Sequence, residues 1–489
     1  DVFKTDDKLW EFKAEYDVWS TSIKDNVLVL GCSLTENLLS KYAPVYALDL
    51  KTGNKLWKFK AEDWVNTTTI KDDVAILRCG YNKYLKYAPV YALDLKTGNK
   101  LWEFKVEDWV NTTTIKNDIV VLGCRGGYVY ALDLKTGTKI WEFKVESSVE
   151  MASTKDDILI LRCLFGYTYA LDIRTGHKLW KFKAEHDIWT TSIKDDVIIL
   201  GCRKGHTYAL DIKTGSKIWE FKAENWVKTI SIKDNIVILG CREGHTYALD
   251  LKTGTKIWEF KAEYDVWTTS IKDDVIVLGC REGHTYALDL KTGTKIWKFK
   301  AEYDVWTTSI KDDIVVLGCS LTEDLLSKYI PVYALDLKTG KRLWEFRAEG
   351  SVETTSIKDN IVILGCKEGY TYALDLKTGA KIWEFKAGGR VETTLIKDDV
   401  VILGCGYNEY LDYAPLYFLD LNTGSQIFEF KMKSDVGSSI IKDNILILSS
   451  KNEVYAFDLD KVDIKLMSMD IKEKEERKIV ATNKNKNKL

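Results

Sequence analysis

Ten cysteines are the most reactive side chains in this sequence, and their spacing decides which chemistry they can support. No Cys-x-x-Cys pair occurs, so zinc-ribbon and thioredoxin-like sites have no support. A disulfide needs Cα atoms within about 7 Å, which cysteines on separate repeats are poorly placed to reach. The pattern therefore predicts buried, reduced thiols that act as small apolar residues, and it favours a reducing compartment. The ten share one place in an internal repeat, within Leu-Gly-Cys or a close variant, at Cys32, Cys79, Cys124, Cys163, Cys202, Cys241, Cys280, Cys319, Cys366 and Cys405.

Histidine and aspartate also recur, but in patterns typical of structure. His206, His245 and His284 stand in Gly-His-Thr-Tyr on three consecutive repeats, where other repeats carry tyrosine. Equivalent residues on neighbouring repeats are expected to lie too far apart to share an ion, and a zinc site needs at least three protein ligands. The paired acids of Lys-Asp-Asp suit tight turns between strands. We therefore predict no metal site and no catalytic carboxylates.

The composition argues against two classes of partner. The 489 residues include 71 basic and 73 acidic ones, a net charge of −2, whereas a nucleic-acid-binding domain is usually basic. No apolar stretch reaches the length of about 18 residues that a membrane-spanning helix needs. No signal-peptide pattern opens the chain, which together with the free cysteines predicts a cytoplasmic protein. Because the sequence starts at Asp1 rather than Met, a periplasmic or cell-surface location stays open if an N-terminal segment is missing.

An internal repeat dominates the sequence and predicts its fold. One unit divides into four short stretches with strand-like composition, 227–232, 236–241, 245–251 and 256–261, separated by turn residues. We name them strands A, B, C and D. Four short strands at even spacing are the signature of a propeller blade, so the sequence predicts an all-β propeller of antiparallel blades. The anchor Tyr-Ala-Leu-Asp-Leu-Lys-Thr-Gly, with small variations, starts at Tyr46, Tyr91, Tyr130, Tyr169, Tyr208, Tyr247, Tyr286, Tyr333 and Tyr372.

The strongest motif is Ala-x-Asp-x-x-Thr-Gly-x-x-x-Trp, which occurs in full nine times and once in a degraded copy that ends at Phe428. It resembles the tryptophan-docking motif of the pyrroloquinoline-quinone (PQQ)-like propeller repeats. That resemblance implies a ring of blades in which the outer-strand tryptophan packs on the next blade. A large ring at this place would bury about 150–250 Å². The predicted docking residues are Trp10, Trp57, Trp102, Trp141, Trp180, Trp219, Trp258, Trp297, Trp344 and Trp383.

Eleven strand-A stretches predict eleven blades, and the chain ends predict how the ring closes. Residues 1–13 supply a lone strand D, while the last unit supplies strands A, B and C but no D. We therefore predict one ring over residues 1–459, closed by the N-terminal strand. A split into seven and four blades is disfavoured because the repeats at that junction are almost identical to their neighbours. Residues 460–489 are rich in Lys, Glu and Asn and read as a disordered tail or linker.

Positions that differ between near-identical blades indicate where function could lie. One is the residue four after the Glu that ends strand D, in what the pattern suggests is the D–A loop. The other is the B–C loop, which carries insertions at 33–45, 80–90, 320–332 and 406–416. Both loops should share one face of the ring, because successive strands alternate in direction. The predicted binding face carries Trp19, Trp189, Trp267, Trp306, Tyr16, Tyr264, Tyr303, Arg203, Arg242 and Arg281. The alternative is that these four tryptophans fill the core between blades.

Two functional classes follow from the family resemblance. The first is a non-catalytic scaffold that binds a protein, peptide or glycan, similar to the periplasmic propellers that help to assemble outer-membrane proteins. The second is a quinoprotein dehydrogenase, which in that family holds the quinone with calcium over the propeller axis. The alcohol-oxidising enzymes typically carry a disulfide between adjacent cysteines, and this chain has no adjacent cysteines and no haem motif. Beyond the structural docking motif nothing matches these enzymes residue by residue, and a fold alone does not fix a function. We therefore predict a scaffold without cofactor or enzymatic activity.

Overall fold

The computed structural model describes residues 8–33, 42–82, 84, 86–321, 327–408, 410–436 and 438–462, and it is almost entirely β-structure. Eleven four-stranded antiparallel sheets follow one another, each with the strand order A-B-C-D. Four three-residue helical turns cover Leu164–Gly166, Arg203–Gly205, Arg242–Gly244 and Arg281–Gly283. In this described part of the chain, no helix combines the length and the apolar character needed to cross a membrane. The predicted eleven-bladed propeller is confirmed.

Strands A and B form the inner half of each sheet, and we number the sheets 1 to 11 in the order of their A strands. A strands of neighbouring sheets contact each other, which places them around the central axis. The A strands are Val18–Lys24, Val65–Lys71, Val110–Lys116, Val149–Lys155, Ile188–Lys194, Val227–Lys233, Val266–Lys272, Asp304–Lys311, Val352–Lys358, Val391–Lys397 and Ser438–Lys442. The B strands are Val27–Cys32, Val74–Cys79, Ile119–Cys124, Ile158–Cys163, Val197–Cys202, Ile236–Cys241, Val275–Cys280, Ile314–Ser320, Ile361–Cys366, Val400–Cys405 and Ile445–Ser450.

Strands C and D form the outer half. The C strands are Ala43–Asp49, Ala88–Asp94, Tyr128–Asp133, Tyr167–Asp172, His206–Asp211, His245–Asp250, His284–Asp289, Tyr329–Asp336, Tyr370–Asp375, Ala414–Asp420 and Glu453–Asp458. The D strands of sheets 1 to 10 are Lys55–Ala61, Lys100–Val106, Lys139–Lys144, Lys178–Lys183, Lys217–Lys222, Lys256–Lys261, Lys295–Lys300, Arg342–Glu349, Lys381–Lys386 and Gln426–Met432, and that of sheet 11 is Trp10–Lys13.

Ten of the eleven sheets are joined to the next by the indole of their D strand, and sheet 10 carries Phe428 at this position. The Trp102 N–H of sheet 2 donates to the Leu134 carbonyl of sheet 3 at 2.9 Å, and its ring covers Gly137, where φ is +69°. A Cβ added to Gly137 would lie 2.4 Å from the ring, so only glycine fits there. The same contact recurs with N–O distances of 2.8–2.9 Å for all ten predicted tryptophans, whose acceptors are Leu50, Leu95, Leu134, Ile173, Ile212, Leu251, Leu290, Leu337, Leu376 and Leu421.

The aspartate of the motif builds the turn on which the indole rests. In sheet 3 the Asp133 carboxylate accepts hydrogen bonds from the backbone N–H of Thr136 at 2.7 Å and from its hydroxyl at 2.9 Å. These bonds hold the pKa of Asp133 below its ordinary value, because they favour the charged form. The carboxylates of this motif therefore serve a structural turn.

The ring closes between sheet 11 and sheet 1. The N-terminal strand pairs with the last C strand, with Trp10 opposite Ala456. The Trp10 indole donates to Leu50 of sheet 1, and the Thr21 hydroxyl lies 3.2 Å from that of Ser438. Eleven apolar clusters fill the structure, one at each pair of neighbouring sheets including this last pair. The predicted single ring, closed by the N-terminal strand, is confirmed.

The predicted outer boundary of the propeller is not tested by the structure. Strand C of sheet 11 ends at Asp458, and residues 459–462 form one helical turn. Residues 463–489, and with them most of the predicted disordered tail, lie outside the described residues. The division of the chain at residues 459 and 460 stays a prediction.

Replacing Trp219 by alanine should lower the free energy of unfolding by about 3–5 kcal/mol, because it deletes a buried aromatic ring. Trp219→Phe should cost less, since Phe428 already fills the equivalent position in sheet 10. Urea unfolding followed by circular dichroism measures both losses. Ile218→Thr changes an exposed residue of the same strand and should have little effect. Equal losses for Trp219→Ala and Ile218→Thr would contradict the docking role.

Candidate binding surface

In ten of the eleven repeats, the variable position is a β-bulge at the start of strand A. In sheet 3, Val110 pairs with Cys124 and Thr112 with Gly123, which leaves Asn111 without a partner in the ladder. A bulge of this kind turns a side chain away from the regular alternation of a strand. The same shift occurs in ten sheets, at Trp19, Asn66, Asn111, Glu150, Trp189, Lys228, Trp267, Trp306, Glu353 and Glu392, which we call the bulge ring. The eleventh equivalent, residue 437, lies outside the described residues.

The bulge ring surrounds one end of the central opening. The position was predicted to lie in the D–A loop, whereas the structure places it at the second residue of strand A, or at the third in sheet 8. The D–A and B–C segments do share this end, because the backbone N–H of Arg242 donates to the Trp226 carbonyl at 3.0 Å. At the other end the C–D and A–B turns meet, where the Leu251 N–H donates to Asn235 at 2.8 Å.

The four predicted tryptophans of the bulge ring are exposed. Trp19 keeps 61% of its surface accessible, Trp189 and Trp306 keep 46% and Trp267 keeps 40%, whereas the ten docking indoles keep 6–8%. This difference argues against the alternative that the four fill the core between sheets. Exposed indoles on a rigid frame offer a large contact area at little entropic cost.

Aromatic rings from neighbouring sheets contact each other in three places, as two groups and one pair. In the first group Trp19 lies 6.3 Å from Trp64, Trp64 lies 6.2 Å from Trp109, and Trp109 lies 5.9 Å from Tyr81, all between ring centroids. Sheets 7 and 8 form the pair, with Trp267 and Trp306 5.3 Å apart and nearly perpendicular. These distances are typical of attractive aromatic contacts.

The second group combines rings with cations in sheets 5 and 6. Trp189 lies 5.0 Å from Trp226, and the Arg203 guanidinium lies 4.9 and 5.1 Å from these two ring centroids. Arg242 lies 4.2 Å from Trp226. With Lys228, the bulged residue of sheet 6, these side chains form what we call the cationic aromatic sector. Arginine stacked on a ring keeps the edge of its guanidinium free to bind carboxylates.

Three rings of this surface were left out of the predicted binding face, and the predicted tyrosines precede the bulge ring rather than belonging to it. Trp64, Trp109 and Trp226 belong to the surface, and their signal was the Asp-Trp-Val or Asn-Trp-Val that precedes the variable position. Arg281 is exposed in the equivalent turn of sheet 7. The predicted tyrosines lie in the D–A loops of the same end, three residues before the bulged position. Tyr16 and Tyr303 pack against apolar clusters, and Tyr264 lies beside His284.

A cavity of about 560 Å³ opens beside the cationic aromatic sector, lined by Lys228, Val266, Trp267 and Trp306 among others. Its cause is a looser seam between sheets 6 and 7. In sheet 5, Gly201 of strand B is covered by Val227, the first residue of the next A strand. At Gly240 no side chain of sheet 7 comes within 4 Å of an added Cβ. The gap joins the surface to a pocket large enough for an aromatic side chain.

The ten cysteines are free and buried, as predicted, and lie next to the bulge end of strand B. Burial, with a smaller contribution from Asp187, raises the pKa of Cys202 to about 12. A thiol is a poor nucleophile while protonated. In the described part of the chain the cysteines therefore act as core residues.

Comparison with known proteins gives one family and several structures. The family model described as outer membrane protein assembly factor BamB matches residues 4–158, 165–304 and 330–461. No curated protein matches the chain. A crystal structure of BamB from Moraxella catarrhalis is 20% identical and covers 63% of this chain and 93% of that one, with a TM-score of 0.42.

Two further structures are similar in the same range. The computationally designed Ika8 protein is 20% identical and covers 63% of this chain and 94% of its own, with a TM-score of 0.40. Sqt1 from Saccharomyces cerevisiae is 12% identical and covers 70% of this chain and 99% of its own, with a TM-score of 0.39. At these identities the likeness concerns the fold alone.

Replacing Trp19, Trp189, Trp267 and Trp306 by threonine, one at a time, should change the free energy of unfolding by no more than about 1 kcal/mol each, because exposed rings contribute little to the core. Thermal and urea unfolding measure the effect. Trp219→Ala serves as the positive control for a docking indole. A loss as large as that of Trp219→Ala would mean that the bulge ring is part of the core.

Proposed function

The chain belongs to the family described as outer membrane protein assembly factor BamB, and from this premise we propose that it is a non-catalytic scaffold that binds a protein partner through its bulge ring. One observation supports this most directly. The residues that vary between otherwise near-identical sheets are the bulged residues around one end of the opening, while the turns of the other end hardly change. The bulged side chains are exposed or half-buried and lie outside the apolar clusters of the seams, which leaves them available for binding.

The chemistry of the cationic aromatic sector favours an extended polypeptide with acidic and aromatic side chains. Arg203 and Arg242 lie 4.9 and 4.2 Å from indole centroids, and a guanidinium beside a ring can still meet a carboxylate in bidentate fashion. The cavity bounded by Lys228 and Trp267 offers an apolar pocket next to these charges. Buried aromatic and arginine anchors usually carry most of the energy of a protein interface. A glycan, the other ligand that the sequence leaves open, would use the rings but has no need of two arginines.

Peptides selected on the immobilised full chain from a displayed random library should be rich in aromatic and acidic residues, and isothermal titration calorimetry can measure their affinity. Arg242→Glu and Trp189→Thr should each weaken binding at least about tenfold, because each removes an anchor of more than about 1 kcal/mol. The matched control is Arg174→Glu, an exposed arginine in the C–D turn at the opposite end, which should leave the affinity unchanged.

Two outcomes would contradict this proposal. One is an affinity that falls with Arg174→Glu and not with Arg242→Glu. The other is a chain that selects no peptide but binds glycans on an array, in a way that depends on Trp189. The second outcome would keep the surface and change its ligand class.

We also propose that the scaffold performs no redox chemistry. Support comes from the roles of the reactive groups in the described residues. The thiols are buried and protonated, and the motif carboxylates are bonded within their turns. The predicted cytoplasmic location rests on the free thiols and stays a prediction.

Adding pyrroloquinoline quinone and calcium to the protein should leave the absorbance of the quinone unchanged, and an alcohol should then reduce no artificial electron acceptor. Spectrophotometric titration of the quinone with protein, up to and beyond one equivalent, measures the absorbance. Reduction of a dye measures electron transfer from the alcohol. A saturable spectral change at one equivalent, followed by alcohol-dependent dye reduction, would establish the dehydrogenase alternative instead.

A further inference from the structure

Two histidines and a glutamate meet in sheet 5, away from the bulge ring. Glu185 and His186 belong to the D–A segment before strand A, and His206 begins strand C. One ligand atom from each of the three lies within 4.8 Å of the other two. The His206 Nε2 atom is 3.2 Å from a Glu185 carboxylate oxygen, and the two imidazole centroids are 5.6 Å apart. The D–A segment and the start of strand C thus bring three potential ligands together.

We propose that Glu185, His186 and His206 bind a divalent transition metal ion, with zinc as the best match. Two imidazoles and one carboxylate form a ligand set that zinc uses in proteins, with the fourth position left to water. Ligands about 2.0–2.2 Å from the ion are closer to each other than 4.8 Å, so a small side-chain movement is needed. Glu185 is exposed and free to make it, since 64% of its side chain is accessible.

The ring of His206 is already oriented for this role. Its Nδ1 atom lies 3.2 Å from the Glu220 carboxylate, which Lys217 contacts in turn at 2.7 Å. A carboxylate at one nitrogen of a ligating histidine fixes the tautomer and turns the other nitrogen toward the ion. Here the other nitrogen is Nε2, which faces Glu185. The outer partner is therefore present as well as the ligands.

Neighbouring sheets repeat part of this arrangement, and sheet 6 brings His245 together with Glu224 and Glu259, a set with one imidazole instead of two. In sheet 6, His245 has the same contact from Nε2 to Glu224, at 2.9 Å, but Asn225 stands where sheet 5 has His186. In sheet 7 that position is Tyr264, whose ring lies 5.1 Å from His284. Among the described residues, sheet 5 is the sheet that pairs two imidazoles in this way.

The structure groups a different set from the one that the sequence analysis considered. From the sequence, His206, His245 and His284 were expected to lie too far apart to share an ion, because they stand on successive repeats. The set that meets lies within one sheet. The link is a backbone hydrogen bond from the Arg203 N–H to the Asp187 carbonyl at 2.9 Å, which joins the B–C turn to the D–A segment.

Zinc titrated calorimetrically into the untagged full chain should bind at one equivalent. His186→Tyr and His206→Tyr should each weaken binding at least tenfold. Both variants copy residues found at the same positions in other sheets, Tyr264 and Tyr167, so the fold should tolerate them. Zinc should raise the thermal midpoint of the unmodified chain and not that of either variant, because only a ligand that binds the folded state stabilises it.

Two control variants and a spectrum make the test specific. His245→Tyr removes the single imidazole of sheet 6, and His177→Asn removes a histidine at the opposite end; neither should change zinc affinity. Cobalt in place of zinc should show ligand-field bands without a thiolate charge-transfer band. The proposal is wrong if no zinc binds, if binding survives both His186→Tyr and His206→Tyr, if His245→Tyr weakens it equally, or if the cobalt spectrum shows cysteine ligation. None of these results bears on partner binding at the bulge ring.

Discussion

The contact between each outer-strand indole and the turn of the next sheet determines the rest of this molecule. A four-stranded sheet alone cannot bury both of its faces, and here each face packs against a neighbouring sheet. The indole joins the two sheets at their outer edge, where it covers a glycine. Any side chain at that glycine would clash with the ring. Apolar clusters then fill the space further in. Because this seam repeats with little change, each sheet adds a similar rotation, and eleven sheets complete a circle that the N-terminal strand closes.

Such a uniform seam restricts where the sequence can vary. Strand B is buried on both faces, and the glycine near its end leaves no room for a side chain without a rearrangement. Sheets 2 and 4 show what a rearrangement requires, since Arg78 and Arg162 replace this glycine. The Arg78 Nε donates to Thr67 at 2.7 Å, and the Arg162 Nη1 donates to the Trp189 carbonyl at 2.6 Å. In sheet 4 the guanidinium thus supports the bulge of the next sheet, which couples the seam to the surface.

Features that recur visibly in the repeat could be predicted from the sequence, whereas features that depend on backbone geometry could not. The strands, the docking indoles and the closing strand were predictable because each leaves a periodic mark, such as Thr-Gly before Trp102 or the lone strand D at Trp10. The bulge was not predictable, because ten sheets carry it and no copy differs in length to reveal it. The exposure of Trp189 follows from that bulge. The meeting of His186 and His206 depends on a backbone hydrogen bond between two loops, which has no signature in the residue types.

The bulge separates stability from binding in this architecture. A residue expelled from the ladder stays outside the apolar clusters of the seam, so the bulge ring can hold Trp, Asn, Lys or Glu on a similar frame. The outcome is a ring with unequal arcs. Sheets 5 to 8 present indoles and cations, whereas Glu353 and Glu392 occupy sheets 9 and 10. If the chain binds a polypeptide here as proposed, the cations of sheets 5 and 6 attract its acidic groups while Glu392 repels them, which favours one direction of binding. Symmetry in the frame and asymmetry in the bulges together give a rigid surface whose arcs differ in charge and in aromatic content.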